Sequence, residues 1–241
     1  MSDGIEVQQA FWNQWNASTR EKELGNISTE QAEVIETWLE RVAQGRRDLK
    51  ILEVGCGAGW LCERLTRFGR VTATDLSNEV LARAAKRLLQ VSFIAGDFMA
   101  LDFGSDFDVI ISLEVLAHVA SQAAFLSKIA DLLKPGGYLM LATQNKPALE
   151  RSNVPAAQPG QLRRWTDRHE LKTLLAHRFH VAQMFSITPH FNRGLLRVIN
   201  SGRLQRVADA AKLAWLLHGM KKFQEKAWLG WTIMTLARRS I

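Results

Sequence analysis

The apolar positions of the chain change period as it proceeds. Ile5 to Asn16 places Phe11, Trp12 and Trp15 at helical spacing, and Ser28 to Val42 does the same with Ile35, Trp38, Leu39 and Val42. Ser28 and Gln31 have the spacing of a capping box, which predicts the first turn of the second helix there. Beyond the polar turn Gly-Arg-Arg-Asp at 45–48, short apolar runs take over: Leu49–Val54, Val71–Asp75, Val91–Ala95, Phe107–Ser112 and Tyr138–Thr143. Helical patterns at Trp60–Phe68, Glu79–Leu89 and Phe125–Leu133 separate them, the last closed by Lys134-Pro135-Gly136-Gly137, which cannot continue a helix. This alternation predicts parallel βαβ units, with helices on both faces of one sheet. Right-handed crossovers then place a ligand crevice at the carboxyl ends of the strands.

Glu150 to Gln161, with two prolines and no periodicity, reads as a loop. A helix capped by Asp167 with Glu170 follows, carrying Leu171, Leu174 and Leu175; then a strand near His180–Ile187, a long basic helical stretch, and a last strand near Trp231–Ala237. The 241 residues are 47% hydrophobic and 23% charged, which suits one globular domain and excludes intrinsic disorder and a disulfide-stapled miniprotein. No apolar run reaches the roughly 18 residues of a membrane span, and the start Met-Ser-Asp-Gly-Ile-Glu-Val lacks the pattern of a secretory signal, so a soluble, cytoplasmic protein is expected. Cys56 and Cys62 have no second pair or histidines at ligand spacing, so reduced thiols and no metal are expected. The formal charge of +7 is unevenly placed: residues 1–150 carry 15 Lys and Arg against 20 Asp and Glu, net −5, and residues 151–241 carry 16 against 4, net +12.

Candidate chemistry begins at Ile51-Leu52-Glu53-Val54-Gly55-Cys56-Gly57-Ala58-Gly59, a strand running into alternate glycines before a helix. A dinucleotide site would use G-x-G-x-x-G; here the spacing is G-x-G-x-G, and Glu53 stands two residues before the first glycine. That carboxylate repels a pyrophosphate and favours a cationic ligand. Asp75 ends the second strand, 20 residues after Gly55, placed to accept hydrogen bonds from ribose hydroxyls; a role at the following helix start competes, since Ser77 and Glu79 suit that start. Gly96-Asp97-Phe98 ends the third strand with a carboxylate beside an aromatic ring, suited to an adenine amino group and ring face.

With ILEVGCGAG, VTATDLS, FIAGDF, FDVIISLEVLAHV and LLKPGGYLMLATQN in this order across Leu49 to Asn145, the chain resembles the class I S-adenosylmethionine-dependent methyltransferases, and within them the ubiquinone-pathway type of small-molecule O-methyltransferase. The resemblance implies a Rossmann-like α/β fold: a seven-stranded, mostly parallel sheet with helices on both faces and an antiparallel last strand. It implies S-adenosylmethionine as cofactor, held by Glu53, Gly55, Cys56, Gly57, Gly59, Asp75, Leu76, Asp97, Phe98 and Leu113, with Trp12 and Trp15 closing over it. After strand four the resembling enzymes read E-V-L-E-H-V; here Glu114-Val115-Leu116 is followed by Ala117-His118-Val119, so no role is carried over from the second glutamate. O-methylation of a small molecule is favoured over N-methylation, over nucleic acid as substrate, and over a non-catalytic binding protein.

Methyl transfer needs alignment and exclusion of water, and a base only where the acceptor arrives protonated. His118, just beyond strand four, and His190, at the start of the cap, are the candidates; a structural histidine bonded to a backbone carbonyl is the competing reading for His118. Strands six and seven of such folds are joined by a short turn, whereas here roughly 40 residues intervene. They interleave Phe191, Leu195, Leu196, Val198, Ile199, Val207, Ala211, Ala214, Trp215 and Leu217 with Arg193, Arg197, Arg203, Arg206, Lys212, Lys221, Lys222 and Lys226, and His218 follows directly after Leu217. The expected organisation is therefore a helical lid at 1–45, a core at 46–187 and 229–241, and a basic helical cap inserted at 188–228. Such a cap suits an apolar, anionic or carrier-bound small substrate or peripheral contact with a membrane; nucleic acid is disfavoured, there being a single tyrosine and no amino-methylating tetrapeptide after strand four.

Overall fold

A computed structural model describes residues 2–17, 25–189 and 214–240. In chain order the described elements are α1 (Ser2–Trp15), α2 (Asn26–Ala43), β1 (Leu49–Val54), α3 (Cys62–Leu65), β2 (Gly69–Asp75), α4 (Asn78–Arg87), β3 (Val91–Ala95) and β4 (Phe107–Leu113). They continue with α5 (Gln122–Leu132), β5 (Leu133–Gln144), α6 (Lys146–Glu150), α7 (Arg168–Leu175), β6 (Phe179–Ile187), α8 (Ala214–Lys226) and β7 (Thr232–Arg239). The sheet runs β3-β2-β1-β4-β5-β7-β6, parallel from β3 through β5, with β7 inserted antiparallel between β5 and β6. This is the Rossmann-like arrangement expected from the motifs.

Side chains of a strand alternate between faces, and that alternation builds two cores. Ile51, Val109, Ile111, Met140 and Ala142 turn one way and pack under Ile35, Trp38 and Leu39 of α2 and Leu65 of α3. Leu52, Ile110, Leu139 and Leu141 turn the other way, against Phe125, Leu126 and Ile129 of α5 and Leu171 and Leu175 of α7. β4, at the centre, is buried along its whole length. Each of the fully buried Val, Leu, Ile and Met side chains among these contributes about 1.5–3 kcal/mol. The chain leaves β1 toward β2 and leaves β4 toward β5, in opposite directions across the sheet, so the crevice of the switch point opens beyond Val54 and Leu113.

Three local expectations are corrected. α2 begins at Asn26 behind Gly25 with no side-chain cap, so Ser28 and Gln31 lie inside the helix, buried, and form no capping box. The helical pattern at 60–68 yields only the single turn Cys62–Leu65, because Phe68 and Gly69 are already drawn against β1: the Leu49 N–H donates to the Phe68 carbonyl (3.1 Å), and a Cβ on Gly69 would lie 2.0 Å from the Leu49 carbonyl oxygen. Lys134–Gly137 does not stand between helix and strand; it lies within β5, where the register slips opposite Phe107 and Val109. Of the cap, Phe191, Arg193, Leu195, Leu196, Arg197, Val198, Ile199, Arg203, Arg206, Val207, Ala211 and Lys212 lie outside the described residues, as does the candidate base His190.

Candidate functional site

β1 delivers Glu53 to the crevice edge, and the chain then turns through Gly55 (φ 78°), Gly57 (φ 54°) and Gly59 (φ 73°), a region L side chains avoid. The Gly55 and Cys56 N–H groups donate to the Thr74 carbonyl of β2 (2.8 and 3.1 Å), pinning the loop to its neighbour strand. A Cβ on Gly55 would lie 2.1 Å from Val115 Cγ2, and one on Gly57 3.2 Å from Asn16 Oδ1. Asp75 braces the same loop from β2, its Oδ2 accepting from the Gly57 N–H (2.7 Å) and its Oδ1 from the Ser77 N–H at the start of α4 (2.8 Å). Burial raises the Asp75 pKa, opposed by hydrogen bonds from the Ser77, Gly57 and Leu76 N–H groups and from the Ser77 hydroxyl.

Glu53 is buried with one polar partner, the Cys62 thiol, which donates to Oε2 (3.0 Å). Burial pushes its carboxyl from 4.5 up to about 7, against the Cys62 hydrogen bond, and no cation among the described residues faces it. Burial likewise pushes the Cys56 thiol up to about 11; the Cys62 thiol is raised first by its hydrogen bond with Cys56 and then by burial. Both cysteines are therefore protonated and inert at neutral pH. No group of metal-ligating side chains occurs among the described residues.

One cleft of ≈ 1740 Å³ opens at the carboxyl ends of the strands, beyond the roughly 300–1,000 Å³ of a single-ligand pocket. It brings together Trp12, Trp15, Glu53, Gly55, Gly57, Asp75, Leu76, Asp97, Phe98, Leu113 and His118. Cys56 and Gly59 do not line it: Cys56 is buried behind the loop, and Gly59 abuts Leu88 and Phe93, where a Cβ would have 3.3 Å to each. Asp97 accepts the Met99 N–H (2.9 Å), and Phe98 packs on Phe103 and Phe125 (ring centroids 5.5 and 5.2 Å), so its ring serves wall and core together. α1 forms the roof on the Asp75 side. Gln9 Nε2 donates to the Leu76 carbonyl (2.9 Å), Asn13 Nδ2 to Asn78 Oδ1 (3.1 Å) and Asn16 Nδ2 to Ser77 Oγ (2.9 Å).

His118 ends a short 3₁₀ turn after β4 (Leu116–His118), edge-on to Trp12 (centroids 4.9 Å apart). Its Nδ1 lies 2.6 Å from the Leu162 carbonyl, an acceptor only, so Nδ1 carries the proton and Nε2 keeps its lone pair, 3.3 Å from Gln144 Nε2. Desolvation lowers its pKa, with Arg163 adding to the effect and the Leu162 bond opposing it. The backbone-bonded geometry leaves a neutral imidazole with an oriented acceptor nitrogen. Ala117 is buried, its carbonyl taken by the Arg164 N–H (2.7 Å).

Glu114 (φ 63°), which opens the motif read after strand four, follows β4 and lines the cleft; its Oε1 accepts from Gln31 Nε2 (2.6 Å) and Thr232 Oγ1 (2.9 Å), partners 83 and 118 positions away. Several other cleft residues escape sequence reasoning. Glu30 receives Lys221 Nζ (2.8 Å) and the Thr188 hydroxyl. Arg163, with Trp165, lines the wall beside His118. Gln144 is the exception that could have been found, since it ends β5 as Asp75 ends β2; its Oε1 is buried without a partner.

Residues 52–141 match the family model described as a methyltransferase domain. The ubiquinone biosynthesis O-methyltransferase of Chelativorans sp. (strain BNC1) is 40% identical over 112 residues, 44% of this chain and 44% of that protein. The enzyme of the same name from Nitrobacter winogradskyi is 38% identical over 103 residues, 41% of this chain and 40% of that protein, so the match spans less than half the length of these relatives. Among solved structures, the N-methyltransferase NodS of Bradyrhizobium japonicum in complex with S-adenosyl-L-homocysteine superposes with TM-score 0.63 at 16% identity, covering 97% of this chain and 98% of that one. The [4+2]-cyclase SpnF superposes at 0.58 with 20% identity, covering 86% and 80%. Neighbours of such different names, at such identities, establish the fold alone.

Proposed function

We propose that this chain, which carries a methyltransferase domain over residues 52–141, transfers a methyl group from S-adenosylmethionine to an oxygen of a small-molecule acceptor. The observation that carries the reading is the buried Glu53 carboxyl, with no counter-ion among the described residues, on a cleft with room for two ligands that Asp75, Asp97 and His118 also line. A cationic ligand supplies the charge that Glu53 lacks, and the missing Cβ atoms at Gly55 and Gly57 let it approach the backbone. Glu53, Gly55, Gly57, Asp75, Leu76, Asp97, Phe98 and Leu113 would hold the cofactor, with Cys56 and Gly59 shaping the loop from behind. When bound, it supplies an activated methyl group on a sulfonium.

The chain's own residues do the rest. α1, with Trp12 and Trp15, roofs the cleft and excludes water, the lid role of residues 1–45. His118 Nε2 takes the proton of the acceptor hydroxyl, its ring fixed by the Leu162 carbonyl, and the unpartnered Gln144 Oε1 accepts a second donor from the same molecule. Trp60, Trp165 and Trp231 also line the cleft and add aromatic surface for an aromatic acceptor. Residues 46–187 and 229–241 form the core and 188–228 the cap in this reading. The curated relatives, named as O-methyltransferases, support oxygen over nitrogen. A homocysteine-release assay across phenols, catechols and amines tests it. Turnover of phenolic acceptors is expected; turnover confined to amines would replace oxygen by nitrogen.

A further inference from the structure

The segment after the loop at 150–161 is laid beside the His118 turn. The Leu162 carbonyl accepts from His118 Nδ1 (2.6 Å), the Arg164 N–H donates to the Ala117 carbonyl (2.7 Å), and the Arg164 carbonyl accepts from Gln122 Nε2 (2.9 Å). Between these two anchored neighbours Arg163, half-buried, lines the cleft. Its Nη1 donates to the Pro155 carbonyl (2.5 Å) and its Nη2 to Gln161 Oε1 (2.6 Å), and the guanidinium carbon stands over the Trp165 ring, 5.6 Å from its centroid. All three partners are neutral. Lys221, the other Lys or Arg on the cleft among the described residues, is already paired with Glu30 (2.8 Å). Arg163 therefore holds a positive charge that meets no carboxylate among the described residues, with N–H donors of its five still to be used.

The charge of the cleft reverses along the sheet. At or just past the carboxyl ends of β1, β2, β3 and β4 stand Glu53, Asp75, Asp97 and Glu114, whereas β5 ends in the neutral Gln144. The Arg163 segment continues beside that fifth strand: Asn145 bridges to Thr166, and the Lys146 N–H donates to the Thr166 carbonyl (3.1 Å). Arg163 is also close enough to His118 for its charge to lower the imidazole pKa. We infer that Arg163 receives a carboxylate of the methyl acceptor whose hydroxyl meets His118, which makes the acceptor a hydroxy acid. A guanidinium held by two hydrogen bonds and a ring face is pre-organised, so it loses little freedom when its remaining N–H groups meet a planar carboxylate. An anionic group has no comparable place at the strand ends that carry the four acids, and an ammonium group would be repelled by Arg163. The inference rests on the proposed transfer of a methyl group to oxygen and names the class of acceptor.

Quenching of tryptophan fluorescence in the full chain by 3- and 4-hydroxybenzoate, and by their neutral methyl esters, tests it. Wild type should bind an acid about tenfold more tightly than its ester. Arg163→Met should abolish that preference while binding the esters as wild type does, and Arg163→Lys should keep part of it. Acids bound by wild type no more tightly than esters, or a preference that survives in Arg163→Met, would overturn the proposal. So would a methionine variant that loses acid and ester alike, which assigns the guanidinium to holding the wall, or one that weakens only S-adenosylmethionine, which assigns it to the carboxylate of the cofactor. Homocysteine release from the esters by wild type judges methyl transfer separately: release without a preference for the acids sinks this inference alone.

Discussion

Placing one methyl group on Gly55 separates the two constraints that the glycine loop after β1 imposes. The first is conformational: at φ 78° an L residue is strained by about 1–2 kcal/mol. The second is steric: the new Cβ would sit 2.1 Å from Val115 Cγ2, and moving Val115 costs about 1–3 kcal/mol as overpacking. The lower freedom of alanine in the unfolded chain returns about 0.4–1 kcal/mol, so Gly55→Ala should destabilise by about 1–4 kcal/mol net. In a Val115→Ala background the clashing Cγ2 methyl is gone and the nearest remaining atom is Val115 Cβ at 3.4 Å, an ordinary contact. There the same change should cost only the conformational part, about 0–1.5 kcal/mol. Urea denaturation followed by tryptophan fluorescence, run as a double-mutant cycle, reads the difference. An equal cost in both backgrounds would show that Val115 does not close on the loop as described.

Three further outcomes follow from particular groups. Because burial raises the Glu53 pKa from 4.5 to about 7, the folded chain binds that proton more tightly than the unfolded one. Its contribution is full below 4.5 and lost as pH rises through 7, roughly 3 kcal/mol in all, so Glu53→Gln should flatten that part of the thermal stability profile and parallel profiles would refute the burial. His118→Asn should lower turnover of a phenolic acceptor by about 10²–10⁴ and remove the acidic limb of the rate profile, which in wild type lies below the ordinary imidazole range; a surviving limb would assign the proton to another group. Asp167→Ala removes the acceptor of the His169 and Glu170 N–H groups and should cost about 0.5–2 kcal/mol in chemical denaturation, an unchanged midpoint counting against the cap.

The strands were legible because burial on one or both faces writes itself into consecutive apolar residues: Leu49–Val54 and Val91–Ala95 have the bounds the pattern predicts. The capping box at Asp167 and Glu170 was legible too, both of its hydrogen bonds being local. The same logic fails at Ser28 and Gln31, where the cost of misreading is instructive. Gln31 is spent on Glu114, 83 positions away, a use no local spacing can reveal. The short α3 fails for a related reason, since pairing of Gly69 with Leu49 overrides a helical pattern. Along one wall of the cleft, residues sit at strand ends and follow topology, which is why the presence of Glu53, Asp75 and Asp97 in the crevice could be read from sequence. On the other side Gln31, Arg163 with Trp165, and Thr232 come from three separate segments, and only the folded chain assembles them.

The central claim is that the cleft receives a sulfonium cofactor against Glu53 and Asp75. Isothermal titration of the full chain with S-adenosylmethionine tests it without knowledge of the acceptor. One-site binding in the micromolar range is predicted, weakened at least tenfold in Asp75→Ala and strengthened as pH rises through 7, where Glu53 ionises. No measurable heat, or an Asp75→Ala variant that binds as wild type does, would contradict the account.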